Sequence, residues 1–118
     1  MKMKNKNYRS ISMKESIIDN ITFRFGKNAE DNTQLIKDSE ENWTWFHLEK
    51  FPSCHVVVCQ NDIDDSIITM AAELVKENSK YKFKNIGVIY CKINNLLHGD
   101  KPGLVHFVSM SKVNKVNI

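Results

Sequence analysis

Two histidines carry the most chemical potential in this chain. The segment Trp43-Thr44-Trp45-Phe46-His47 is followed closely by Pro52-Ser53-Cys54-His55-Val56, so two aromatic-histidine runs flank one short connection. Imidazole titrates near neutral pH, which suits proton transfer. A facing pair of imidazoles beside an indole also suits stacking on, and hydrogen bonding to, a base or ribose. Taken alone, the same residues suit a satisfied structural pair under a turn better still. The two histidines fall in no recognised metal-ligand signature with carboxylates or cysteines, so no metal is expected.

Two further groups carry polar chemistry. In Gly26-Lys27-Asn28-Ala29-Glu30-Asp31-Asn32, the glycine can turn the chain while Lys27 and the following amides cradle a phosphate; an ordinary turn with asparagine caps reads the same way. Lys76, Lys80, Lys82 and Lys84, interleaved with Tyr81 and Phe83, suit a phosphate-contacting rim with stacking rings, or simply a solubilised surface. The sequence contains no P-loop, dinucleotide glycine motif, HExxH, paired-cysteine zinc signature or GxSxG elbow. No catalytic residue, metal or cofactor is therefore expected.

These residues sit in a chain of 118, long enough for one domain to bury a core without disulfides. No apolar run approaches a membrane span, and MKMKNKNYRS lacks the apolar region of a secretory signal, so a cytoplasmic protein without a membrane partner is expected. Cys54, Cys59 and Cys91 lie in apolar runs without CxxC spacing and are read as reduced core thiols. The formal charge is +3, but residues 1–14, 15–75 and 76–118 balance at +5, −8 and +6. A basic beginning and end thus flank an acidic centre, a pattern that fits a polyanion surface or a solvated face.

The elements that must position these groups follow from periodicity. Residues 1–14 read as a flexible basic tail and 15–118 as the domain. Ile21–Phe25 alternates as a half-buried strand with Arg24 pointing away from the core. Asn28–Asp38 reads as a short surface helix or ordered loop. Thr44–Leu48 and His55–Gln60 read as adjacent strands around the Pro52-Ser53 turn. From Asp64 or Asp65 to about Lys80 the spacing of Ile67, Ala71, Leu74, Val75 and Asn78 predicts one long helix, with carboxylates at its start. Ile86–Ile93 and Leu104–Val108 are strands joined by a polar connection through Asn94, Asn95 and His98–Gly103, and Val113–Val116 supplies an edge strand. The sum is a single α+β domain: a mixed, largely antiparallel β-sheet with one main and one short helix packed on it.

In this order, the blocks G-K-N-A-E-D-N, W-F-H, P-S-C-H-V-V-V, A-A-E-L-V-K-E-N-S-K, V-I-Y and G-D-K-P-G-L-V resemble the NFACT-R family from about Ile17 to Phe107. The resemblance implies a mixed α/β domain that contacts structured RNA, with tRNA or ribosomal RNA as partner and a link to translation or ribosome quality control. Carried over by position are Gly26, Lys27, Asn28 and Asn32; Trp45, Phe46 and His47; Pro52, Ser53, His55 and Val56; Ala71, Ala72 and Ser79; and Gly99, Pro102 and Gly103. The acidic residue that the family commonly places just before the tryptophan is replaced by Trp43 and Thr44.

The expected RNA contacts are therefore Arg24, Lys27, Asn28, Asn32, Trp45, His47, Ser53, His55, Lys80, Lys82 and Lys84. The alternatives are a DNA-binding module, an RNA-modifying enzyme using His47 and His55, and a module whose C-terminal edge strand pairs with a ribosomal or other protein partner.

Overall fold

The computed structural model describes residues 14–118, so the basic segment 1–14, except Lys14, lies outside it. The chain opens with a hairpin of β1 (Lys14–Ile18) and β2 (Ile21–Phe25). Its two-residue turn, Asp19-Asn20, has φ of 52° and 64°. Positive φ at both central positions is the turn that matches strand twist, and Asp and Asn tolerate it best after glycine. Sequence periodicity did not disclose β1, because both its faces are largely open to solvent and leave no apolar alternation.

After α1 (Ala29–Lys37) come β3 (Thr44–Leu48), β4 (Val56–Val58), α2 (Asp65–Glu77), β5 (Gly87–Lys92), β6 (Leu96–His98), β7 (Val105–Phe107) and β8 (Asn114–Asn117). Six strands form one antiparallel sheet in the order β1-β2-β4-β3-β5-β8, and β6 and β7 form a separate hairpin. The fold is thus the expected α+β arrangement. The connection expected after β5 is more structured than its polar residues suggested: it contains β6, which pairs Leu96 with Phe107 and His98 with Val105.

The sheet is covered on both faces. In β4, Val56 and Val58 join Phe23, Phe46, Leu48 and Val88 under Ile67, Ala71, Ala72 and Val75 of α2. Val57, pointing the other way, joins Trp45 and Cys91 under Leu35 and Ile36 of α1, with Phe107 and Val105 of the β6–β7 hairpin beside them. A strand buried on both faces reads as a continuous apolar run, which is why Val56-Val57-Val58 shows no alternation.

Both helices differ from their expected form. In α2, Asp64 caps the start by accepting from the Ile67 amide at 3.0 Å. The helix stops at Glu77, three residues before Lys80. Asn78 Nδ2 donates to the Leu74 carbonyl at 2.8 Å, and Ser79 Oγ donates to the Lys76 carbonyl at 2.8 Å, so side chains take over the last acceptors. Asn78 is therefore an exposed cap, not part of the buried face. In α1, the residues expected on a surface helix or loop include fully buried Leu35 and nearly buried Ile36 and Asn32.

Leu35 fills the α1 side of the core at 0% exposure. Leu35→Ala is expected to cost about 3 kcal/mol of unfolding free energy in urea melts. A loss below about 1 kcal/mol would show that α1 rests on the sheet without being part of the core.

Candidate nucleic-acid interface

The antiparallel register brings Phe25, Val56 and Leu48 to the same end of the sheet. The turn Gly26–Asn28, the connection Pro52–His55, the end of α2 at Asn78–Tyr81 and the turn Pro102-Gly103 all converge there around a cleft of about 650 Å³. Clefts of roughly 300–1,000 Å³ are the usual size for holding a ligand group.

The floor of this end is Trp45, only 1% exposed. Its indole N–H donates to His55 Nδ1 at 3.1 Å. Indole is a donor only, so Nδ1 must be the acceptor and a neutral His55 must carry its proton on Nε2. His47 stacks parallel to Trp45 with ring centroids 5.7 Å apart, and His55 meets both rings edge-on. His47 Nδ1 lies 2.6 Å from the Leu48 carbonyl, which can only accept, so neutral His47 carries its proton on Nδ1 and keeps Nε2 as a bare acceptor.

The surrounding loops are tied to this node. The backbone N–H of His55 donates to Asn32 Oδ1 at 3.2 Å, which links β4 to α1. Gly26 leaves room for that asparagine: a Cβ there would lie 2.9 Å from the Asn32 amide nitrogen and closer still to its side-chain oxygen. Asn28 Oδ1 caps α1 by accepting from Asp31 N–H at 2.9 Å, and the Asp31 carboxylate accepts from the Lys27 amide at 3.2 Å. Ser53 Oγ accepts from Leu48 N–H at 3.1 Å and donates to the Cys54 carbonyl at 3.0 Å, so it holds the β3–β4 connection. Gly103, at φ 81°, donates its N–H to Thr33 Oγ1 at 2.7 Å and presses against Ala29. Only glycine takes that conformation at this separation without strain.

Charge is distributed unevenly over this frame. Lys14, Lys27 and Lys80 line the cleft, and no carboxylate is among the lining residues. The two ion pairs among the described residues, Arg24–Glu15 and Lys115–Glu49, involve none of the three. Asp19, Asp38, Glu40, Glu41, Asp62, Asp64 and Asp65 instead sit on the hairpin turn, the end of α1 and the start of α2, at the opposite end of the strands. Seven carboxylates of the acidic centre thus gather at the end away from the cleft, while Glu30, Asp31 and Glu49 lie near the cleft end without lining the cleft.

Of the expected contacts, the structure gathers Lys27, Asn28, Asn32, His47, Ser53, His55 and Lys80 around the cleft. Trp45 is beneath it, buried too deeply to stack on a base. Arg24 is outside it, paired across the hairpin with Glu15 at 2.9 Å and lying 5.7 Å over the Trp43 ring. Lys82 is outside it as well: its Nζ donates to the carbonyls of Lys76 and Glu77 at 3.1 and 2.6 Å, capping α2. Lys84 lines a separate hollow. Tyr81, read from sequence as a stacking ring beside Lys80, does line the cleft, whereas sequence reading missed Lys14 and Asn78 as cleft residues. Lys14 was detectable in principle, since the Asp19-Asn20 turn sets it opposite Phe25.

Among the described residues no group of three or more histidines, cysteines and carboxylates is placed to hold a metal ion. All three cysteines are free, and burial pushes each thiol up to about 11. Cys91 is buried, whereas Cys54 and Cys59 are only partly so.

Burial pushes His55 down to about 3, with the neighbouring His47 adding to the fall and the Gly103 backbone opposing it. Burial likewise lowers His47, against the Leu48 carbonyl. In the unfolded chain both titrate near the ordinary value of 6.5. Below that pH the unfolded state binds protons that the folded state refuses, so stability is full above about 6.5 and is lost as pH falls toward 3. Urea melts at pH 7, 6 and 5 should show this decline, with a slope of at most about 1.4 kcal/mol per pH unit for each histidine. His55→Gln should reduce the slope to the share that His47 contributes, and a wild-type curve already flat over this range would contradict the neutral node.

Comparison with known proteins places these features in a family. Residues 12–109 match the family model described as the NFACT protein RNA binding domain. The chain is 32% identical over 83 residues to coiled-coil domain-containing protein 25 of Danio rerio and 34% identical to that of Bos taurus; each match covers 64% of this chain and 40% of the relative. It is 31% identical over 97 residues to the Rqc2 homolog RqcH of Bacillus subtilis, covering 79% of this chain and 17% of that protein. The chain therefore spans well under half the length of these relatives. Its fold matches the C-terminal structure of the fibronectin/fibrinogen-binding protein from Streptococcus suis with a TM-score of 0.81 at 23% identity, over 100% of this chain and 47% of that one. On the strength of the family match across most of its length, the chain belongs to the NFACT-R family.

Proposed function

We propose that this domain binds RNA at the lysine-lined end of its sheet, as a module serving ribosome quality control in the cytoplasm, with tRNA or ribosomal RNA as its ligand. The observation that carries this reading is the convergence of Lys14, Lys27 and Lys80 on a cleft whose lining has no carboxylate. Gathering like charges is unfavourable until a polyanion neutralises them and releases its own counterions. The family description, RNA binding, names the same chemistry. The acidic pole at the far end of the strands orients the domain, because a phosphate backbone repels that end while it approaches the cleft.

His55 serves this reading better than an enzymatic one. The Nδ1 lone pair of His55 is occupied by the Trp45 indole and its ring is held neutral, which removes the free lone pair a general base needs. His47 keeps a bare Nε2 acceptor at the cleft wall, suited to a ribose hydroxyl, the group that distinguishes RNA from DNA.

The test is binding of the purified chain to tRNA, single-stranded RNA and duplex DNA across a salt series. RNA should bind more tightly than DNA, and affinity should fall steeply with salt. Lys27→Ala and Lys80→Ala should each weaken binding and reduce the log–log salt slope by about 1. Lys37→Ala, in the last turn of α1, should change neither. Absence of binding at low salt, or binding indifferent to salt, would overturn the proposal.

A further inference from the structure

A second feature adjoins the cleft. Phe51, Tyr81 and Phe83 form an aromatic group: Phe51 and Tyr81 stack at 4.4 Å, and Phe83 lies 5.8 Å from Phe51 and 6.2 Å from Tyr81. Tyr81 forms part of the cleft wall, whereas Phe51 and Phe83 line a smaller hollow of about 200 Å³ on the other side. The group is thus a shared wall between two concavities. Phe51 and Tyr81 also pack on the α2 side of the core, which gives the ridge a fixed base.

Phe83 is the part that the core does not explain. It is 58% exposed, and its sequence neighbours are Lys82 and Lys84. The hollow beside it carries Lys50, Lys84 and Lys115 against one carboxylate, Glu49, which lies 3.5 Å from Lys115. Lys80 stands on the cleft side of the same ridge. Aromatic rings presented between rows of cations are what an unpaired nucleotide strand recognises: bases stack on the rings while phosphates follow the lysines. A duplex offers its phosphates but keeps its base faces stacked inside, so only unpaired nucleotides can use Phe83.

We infer that the Phe51–Tyr81–Phe83 ridge is a second subsite, which takes unpaired nucleotides continuing from an RNA whose backbone occupies the cleft. The inference rests on the RNA-binding reading above and adds the ligand's form: a structured RNA with a single-stranded extension. Bound in this way, the extension passes from Lys80 across Phe83 toward Lys50 and Lys84.

The experiment uses a short RNA hairpin, with and without a 3′ tail of four adenylates, one replaced by 2-aminopurine, at a single salt concentration. The tail should tighten binding roughly tenfold and quench the 2-aminopurine fluorescence, as one stacked base does. Phe83→Ala should remove that gain and the quenching while leaving the tailless hairpin's affinity unchanged, and Phe83→Trp should retain both. Lys27→Ala should weaken both hairpins equally. A tail that adds no affinity to the wild-type protein would overturn the subsite while the cleft reading stands on the tailless hairpin. Equal loss for both hairpins in Phe83→Ala would also overturn it. Failure of both hairpins to bind wild-type protein would overturn both readings.

Discussion

The buried indole of Trp45 needs an acceptor, and His55 is the one it has. An indole N–H sealed in an apolar core without a partner costs on the order of 1–3 kcal/mol, so this bond constrains everything near it. It fixes which nitrogen of His55 bears the proton and binds β3 to β4 beneath the cleft. Through the His55 amide and Asn32 it also sets where α1 begins. Lys27 and the Asn28 cap are placed by that start, and Gly103 is pinned to Thr33 and Ala29 of the same helix. Residues distant in sequence thereby reach one end of the sheet because a single buried donor is satisfied there.

Electrostatics completes what packing starts. The register of an antiparallel sheet sends successive turns to alternate ends, and this chain clusters Asp19, Asp38, Glu40, Glu41, Asp62, Asp64 and Asp65 at the end away from the cleft. Among the described residues, Lys14, Lys27 and Lys80 come together at the other end, around the cleft. The end of α2, whose carbonyls would otherwise face the cleft with partial negative charge, is covered by Lys82 Nζ and by the Asn78 and Ser79 side chains. Lys82 thus aids the cleft by screening a helix terminus, without lining the cleft itself.

The sequence disclosed what periodicity and caps encode. Ile21–Phe25 alternates, the α2 face repeats at helical spacing, and Asp64 announces its helix, so each was legible. β1 was not, because a strand with few buried side chains carries no pattern, and its hairpin rests on two positive-φ residues that are neither glycine nor in a common hairpin dipeptide. The short β6 was masked by polar neighbours. The aromatic-histidine blocks were visible as a cluster, but sequence cannot say that the ring between the histidines is buried or that it consumes one of their lone pairs. Lysine positions were least legible. Lys80, Lys82 and Lys84 alternate as though equivalent, yet one lines the cleft, one caps a helix and one borders the neighbouring hollow.

In the proposed mode of binding, one end of the sheet meets RNA and the other does not. The direct measurement is an amide-resolved NMR titration of the isotopically labelled chain with tRNA. Shifts are expected to concentrate at Lys27, Asn28, Ser53 and Ser79–Tyr81 and to leave Asp62–Ser66 and the Asp19-Asn20 turn unmoved. Shifts centred on that acidic end, or confined to the exposed face of the β6–β7 hairpin, would contradict it.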